Sequence, residues 1–193
     1  MRSLCSLVNN ASVMYSIDSI TDITTEQCVP SFGLAFVACG WLTSTPRHRR
    51  FDRTMKTNIY GTFFLTRAVV PHLKKGASII ITTSQVAYAG PPMLLDYSMT
   101  KAAQRGLIYS LSNQLISKGI RVNGVAPGPV WTPLQPAAMD SKTMGEWHAS
   151  PAPIGRIGQP SELGPAYVFL ASSDGSFVSG QVIHVNGGAV LNG

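Results

Sequence analysis

Apolar positions along this chain follow two periods in alternation. Residues 51–75, FDRTMKTNIYGTFFLTRAVVPHLKK, carry apolar side chains at helical spacing, and Lys74, Lys75 and Gly76 make a suitable stop, so a helix is predicted there. The next stretch, ASIIITT at 77–83, is a β-branched run with no polar alternation, which predicts a strand buried on both faces. The pair then recurs twice. A helix over 96–119 leads to a strand over 120–127, and a shorter helix over 160–173, despite Gly164 and Pro165, leads to a strand over 181–188. Ahead of them all, SLVNNAS at 6–12 is an apolar strand end running into two asparagines. This order predicts an α/β fold in which a parallel sheet is covered by helices.

One stretch breaks the pattern. TTEQ at 24–27 has the Thr and Gln spacing of a capping box that should open a helix, yet the 23 residues 28–50, with two prolines and two glycines, have neither period. Joining Gln27 to Phe51 restores one continuous element, ITTEQFDRTMKTNIYG. The stretch is therefore expected to be an insert within the first turn of a helix, of the kind a translated intron leaves.

Composition narrows the function classes. With 193 residues, 45% hydrophobic and 12% charged, the chain suits one globular domain, expected to span 1–193. No apolar run approaches the roughly 20 residues that cross a bilayer, and the start is too short for a secretion signal, so a cytoplasmic protein without membrane partners is expected. The net charge is +6, of which Arg47, Arg49 and Arg50 supply half. So local a patch, without interleaved aromatics, reads as a solvated turn and not as a nucleic-acid site. Cys5, Cys28 and Cys39 have no zinc-binding spacing, and no metal is expected.

Candidate chemistry lies on the 96–119 helix. Tyr97 and Lys101, four residues apart, share one helix face, where an ammonium can stabilise a phenolate and ready it for acid–base work. Ser84 sits just past the buried strand. These residues, in SQVAYAGPPMLLDYSMTK, together with NNAS, TNIYG, RVNGVAPGPVWTP and GQVIHVNGG in this order, closely resemble the classical short-chain dehydrogenase/reductase family over residues 6–27 and 51–193.

The resemblance implies a doubly wound parallel sheet of Rossmann-like type and an NAD(P)-dependent oxidoreductase that interconverts an alcohol and a carbonyl. Tyr97 would exchange the proton with the substrate oxygen. Lys101 would lower the Tyr97 pKa and grip the nicotinamide ribose, Ser84 would hold the carbonyl, and Asn58 would hold a water linking Lys101 to solvent. Pro127, Gly128, Val130 and Thr132 correspond to the loop at the nicotinamide amide, and Asn9, Asn10 and Ala11 to the turn beside the adenosine ribose. Ser12 stands where the family more often has glycine and is taken as a tolerated change. Asn123 and His184, inside strands, are expected to be satisfied structural groups, and the irregular apolar stretch 131–153 a substrate lid.

The family also implies three earlier strands, with a glycine-rich turn that holds the cofactor phosphates and sets the choice of NAD or NADP. No such turn precedes Asn9, so the sheet is expected to be incomplete, with an apolar edge at 4–8 and weak nucleotide binding. A homodimer or homotetramer is implied for the full-length form. Two alternatives belong to other classes: an inactive fragment that retains subunit-packing surfaces, and a basic accessory protein acting through RHRR.

Overall fold

The computed structural model describes residues 4–14, 48–138, 142, 144 and 152–191. The expected capping box and nearly all of the insert lie outside these residues. Strands β1 (Leu4–Asn9), β2 (Leu73–Thr82), β3 (Arg121–Pro127) and β4 (Val182–Val185) form one sheet in chain order, every neighbour pair parallel. Helices α1 (His48–Met55), α2 (Thr62–Val69), α3 (Val86–Ala89), α4 (Leu95–Leu115), α5 (Leu134–Ala138) and α6 (Pro160–Ala171) lie between them.

Alternate residues of β2 explain the two covered faces. Ile79 and Ile81 pack with Ile108 and Leu115 of α4, while Ile80 packs with Leu170 of α6. Ser78, on the α6 face, donates to the Leu170 carbonyl (2.9 Å). Arg121 reaches the same carbonyl, and the Ser172 carbonyl as well, tying the end of α6 to the sheet. β1 is an edge of this sheet among the described residues, and Val8 near its end is half exposed.

Several boundaries differ from the sequence expectation. The first helix does not run to residue 75: it ends at Val69, a 3-10 turn over Val70–His72 follows, and β2 begins at Leu73. Pro71 lacks the amide that continuation needs, and Lys74 to Gly76 prolong the strand as an exposed lead-in. The same helix starts at His48, so the last three residues of the expected insert already wind into it. Its middle, Lys56–Gly61, is a π-helical turn, and such turns gather at functional sites. The expected irregular lid contains α5.

Two structural assignments can be compared directly. Asn123 is a structural hydrogen-bonder, donating to the Val178 carbonyl and accepting from the Gln181 amide. His184 is not satisfied as expected: it is half-buried, stacks on Tyr88 at 4.5 Å between ring centroids, and its buried Nδ1 has no hydrogen-bond partner among the described residues.

Candidate active site

All four strands run the same way, so their carboxyl ends open on one side, where α/β folds place ligands. A cavity of about 620 Å³ lies there. Asn10, Ser84, Tyr97, Lys101, Pro127, Gly128, Val130 and Thr132 line it; Asn9, Ala11 and Asn58 do not. The wall is completed by apolar groups such as Met14, Leu94 and Leu134, and Lys101 is the charged lining side chain among the described residues.

Tyr97 and Lys101 project from the first turns of α4 and are sealed from solvent, at 6% and 1% exposure. Lys101 Nζ donates to the Thr82 carbonyl (2.9 Å) and sits 5.4 Å from the Tyr97 ring centroid. An ammonium has three donors, so two remain for a ligand. Burial pulls the Lys101 pKa down to about 7. Burial also pushes the Tyr97 phenol up to about 12, with the Ser12 and Ser84 hydroxyls acting against that rise. Thr83 ties the Lys101 carbonyl to the end of β2 (2.8 Å), which fixes the pair against the sheet.

Asn58 is a different kind of residue. Its Oδ1 accepts from Ser12 Oγ (3.1 Å) and the Val13 amide (2.8 Å), and its Nδ2 donates to the Val13 carbonyl (2.9 Å) and Thr100 Oγ1 (3.0 Å). Its own carbonyl accepts from Thr62 Oγ1 (2.9 Å) and Gln104 Nε2 (2.7 Å). Every side-chain group and both carbonyl lone pairs are thus engaged. Asn9 likewise turns inward, donating to Thr66 Oγ1 (3.0 Å), and Ala11 is exposed.

On the far side, the loop after β3 is set by backbone contacts. The Gly128 amide donates to the Val185 carbonyl (2.9 Å), and a Cβ at Gly128 would stand 2.6 Å from Asn186 Cα, so only glycine fits. Gly187 (φ +68) accepts the Ile154 amide (2.8 Å), which ties the 152–158 segment to the turn after β4. Val130 and Gly158 pair as a parallel bridge where that segment meets the loop. Thr132 donates to Gln135 Oε1 (2.6 Å) across the start of α5.

Sequence reasoning passed over two cavity groups. Ser12 was taken as neutral, yet it lines the cavity and its hydroxyl acts to lower the Tyr97 pKa. Tyr167 of α6 lines the cavity and shares a 2.7 Å hydrogen bond with Thr82 Oγ1, and nothing in the local pattern of PSELGPAYVFLA marks it.

The profile of a family described as enoyl-(acyl carrier protein) reductase matches residues 8–190. The chain belongs to the short-chain dehydrogenase/reductase family. It is 46% identical to glucose and ribitol dehydrogenase of Daucus carota, over 97% of this chain and 56% of that protein. It is 51% identical to the chloroplastic NADPH-dependent aldehyde reductase 1 of Arabidopsis thaliana, over 74% of this chain and 50% of that one. Among solved structures, a short-chain dehydrogenase/reductase of glucose/ribitol dehydrogenase type from Brucella melitensis superposes with a TM-score of 0.75 at 29% identity, covering 98% of this chain and 66% of that chain. The chain thus spans about half the length of these curated relatives. The family consists of oxidoreductases that use a nicotinamide dinucleotide. No helix among the described residues is long and apolar enough to cross a membrane.

The residues present fit the nicotinamide–ribose half of such a cofactor. Lys101 offers two spare buried donors to a ribose diol, and the 127–132 loop offers backbone groups beside Thr132. Among the described residues that line the cavity, Lys101 is the charged side chain.

Proposed function

We propose that this chain carries the reacting half of an NAD(P)-dependent oxidoreductase that interconverts an alcohol and a carbonyl. The observation that supports it most is Ser84, Tyr97 and Lys101 facing one largely apolar cavity at the carboxyl edge of a parallel sheet. The dinucleotide, when bound, supplies or takes the hydride.

The side chains do the rest. Ser84 Oγ, two residues past the end of β2, orients the substrate oxygen, and Tyr97 gives that oxygen its proton on reduction or removes it on oxidation. Lys101 binds the ribose and, while charged, favours the phenolate. Asn58 positions the 12–13 turn and Thr100 on either side of Tyr97. A water-holding role for Asn58 requires Thr62 or Gln104 to leave its carbonyl. Asn10 would hold the adenosine ribose, with Asn9 and Ala11 shaping that turn. Pro127, Gly128, Val130 and Thr132 would contact the nicotinamide amide. The apolar wall excludes water from the reacting atoms.

Small alcohols or carbonyl compounds are the substrates we assign, and the carrot relative's name makes sugar alcohols the first to try. The test is cofactor reduction by a panel of alcohols with NAD and NADP, for this chain and for Tyr97→Phe. Turnover that vanishes in Tyr97→Phe is expected; equal turnover in both would overturn the role of Tyr97.

A second reading is a non-catalytic subunit that keeps only assembly surfaces. Tyr60, Phe63, Phe64 and Leu65 favour it, being half exposed along the π turn and α2. The same surface supports an even-numbered homo-oligomer under the first reading. Light scattering that gives a monomer would remove both assembly proposals.

A further inference from the structure

The first turn of α5 brings to the cavity an amide that no step above uses. Gln135 is deeply buried, at 9% exposure, yet it lines the cavity together with Thr132 and Leu134. Its neighbour Leu134 packs against the cluster of Met14, Leu94 and Tyr97, so this turn sits beside the reacting phenol. The Thr132 hydroxyl fixes which way the amide faces. The two side chains meet at 2.6 Å, a usual length for a hydroxyl donating to an oxygen and a short one for an amide N–H reaching a hydroxyl. Oε1 therefore faces Thr132, and Nε2, with both its hydrogens, has no partner among the described residues. Nε2 is not sealed into the wall as the orphaned Oε1 of Gln85 is, and in a residue so deeply buried its open side is the cavity.

We propose that Gln135 is a specificity-determining residue: its Nε2 donates to an oxygen on the carbon next to the reacting one, so that the cavity selects vicinal diols and α-hydroxy carbonyl compounds over simple alcohols of equal length. The proposal rests on the reading of this cavity as the seat of an alcohol or carbonyl. Ser84, Tyr97, Lys101 and Gln135 all bring donors to it, and no carboxylate lines it among the described residues. The lining is short of acceptors, and a second hydroxyl provides one. A neutral amide suits that hydroxyl, since it brings no charge to offset the burial of an anion. A simple alcohol puts a methylene in the same place, which drives water from Nε2 and leaves a buried donor unpaired. Sites built in this way reject the analogue that lacks the oxygen.

Binding tests this without turnover. Ligand-observed NMR titrations of this chain compare the vicinal diol of pentane with n-pentanol, and the diol is expected to bind about tenfold more tightly. Gln135→Leu and Gln135→Met keep most of the bulk and lose the amide. Both should bring the two affinities together by weakening the diol, while n-pentanol binds as before or more tightly. Tyr97→Phe should keep the wild-type preference. Equal binding of the two alcohols by the wild type, binding of neither, or a preference that survives in both Gln135 variants overturns the proposal. Loss of both probes in both variants overturns it as well, because Gln135 is then only a piece of wall. A diol preference without turnover supports the inference and counts against the role of Tyr97, which keeps the two failures apart.

Discussion

Asn58 in the π turn and Lys101 on α4 are equally sealed from water, at 0% and 1% exposure, yet their polar groups are treated in opposite ways. Asn58 has every partner it can use. Lys101 has one hydrogen bond, to Thr82, for three donors. Burying an under-satisfied cation costs free energy, and its lowered pKa records that cost. Folding alone gives no reason to keep such a group. A ligand does, because it can supply the acceptors that the protein withholds. The saturated region is the frame and the unsaturated one the working surface.

The sharpest way to break this comparison is Tyr97→Phe. Loss of the proton donor should lower kcat about a thousandfold, roughly 4 kcal/mol of barrier, with the melting temperature little changed. Comparable losses in both would place Tyr97 in the frame instead.

Asn58→Leu should do the converse. It strips partners from the Val13 amide and carbonyl and from Thr100, so urea denaturation should report a loss of about 3 kcal/mol. A change below about 1 kcal/mol would mean that the turn is not a frame at all.

Lys101 separates the two regions by pH. Its folded pKa lies near 7, below the ordinary lysine value of 10.5. Between those values the unfolded chain holds a proton that the folded chain has released, so wild-type stability should rise with pH from about 7 toward 10. Tyr97, raised to about 12 from 10.0, acts oppositely: above pH 10 the unfolded chain loses its proton first, and stability falls again. Lys101→Met should flatten the rise and leave the fall. An unaltered rise in that variant would mean that Lys101 keeps its charge in the folded chain.

The smallest effect is expected at Gln104, whose Nε2 closes the Asn58 carbonyl while its Oε1 stays buried without a partner. Gln104→Leu removes two bonds, to the Asn58 carbonyl and to Thr62 Oγ1, together with one orphan, so a net change of about 1 kcal/mol or less should follow. A loss as large as that of Asn58→Leu would show that the carbonyl contact dominates the turn.

What could be read from the chain follows the range of the interactions. The β-branched run of β2 announces burial on both faces, and Tyr97 and Lys101 share a face through simple helical spacing. Ser12 could not be found in this way, because its partner Asn58 lies 46 residues away and only the folded turn joins them. The water-holding role of Asn58 comes from the family resemblance alone, and its bonds to residues 12, 13, 62, 100 and 104 were not legible because those partners are mostly distant in sequence. Pro71 was a legible stop, outweighed by the more familiar Lys–Lys–Gly ending five residues later.

The turn at 186–188 touches both the Gly128 loop and the 152–158 segment at Ile154 without lining the cavity. It therefore offers variation a route around the catalytic groups. A Cβ at Gly187 would stand 2.6 Å from Ala152 Cβ, so a substitution there would push on the 152–158 segment while every reacting residue keeps its identity. Drift at such a hinge can change which molecules are admitted long before it changes what is done to them, and a laboratory selection for new substrates would do well to begin there.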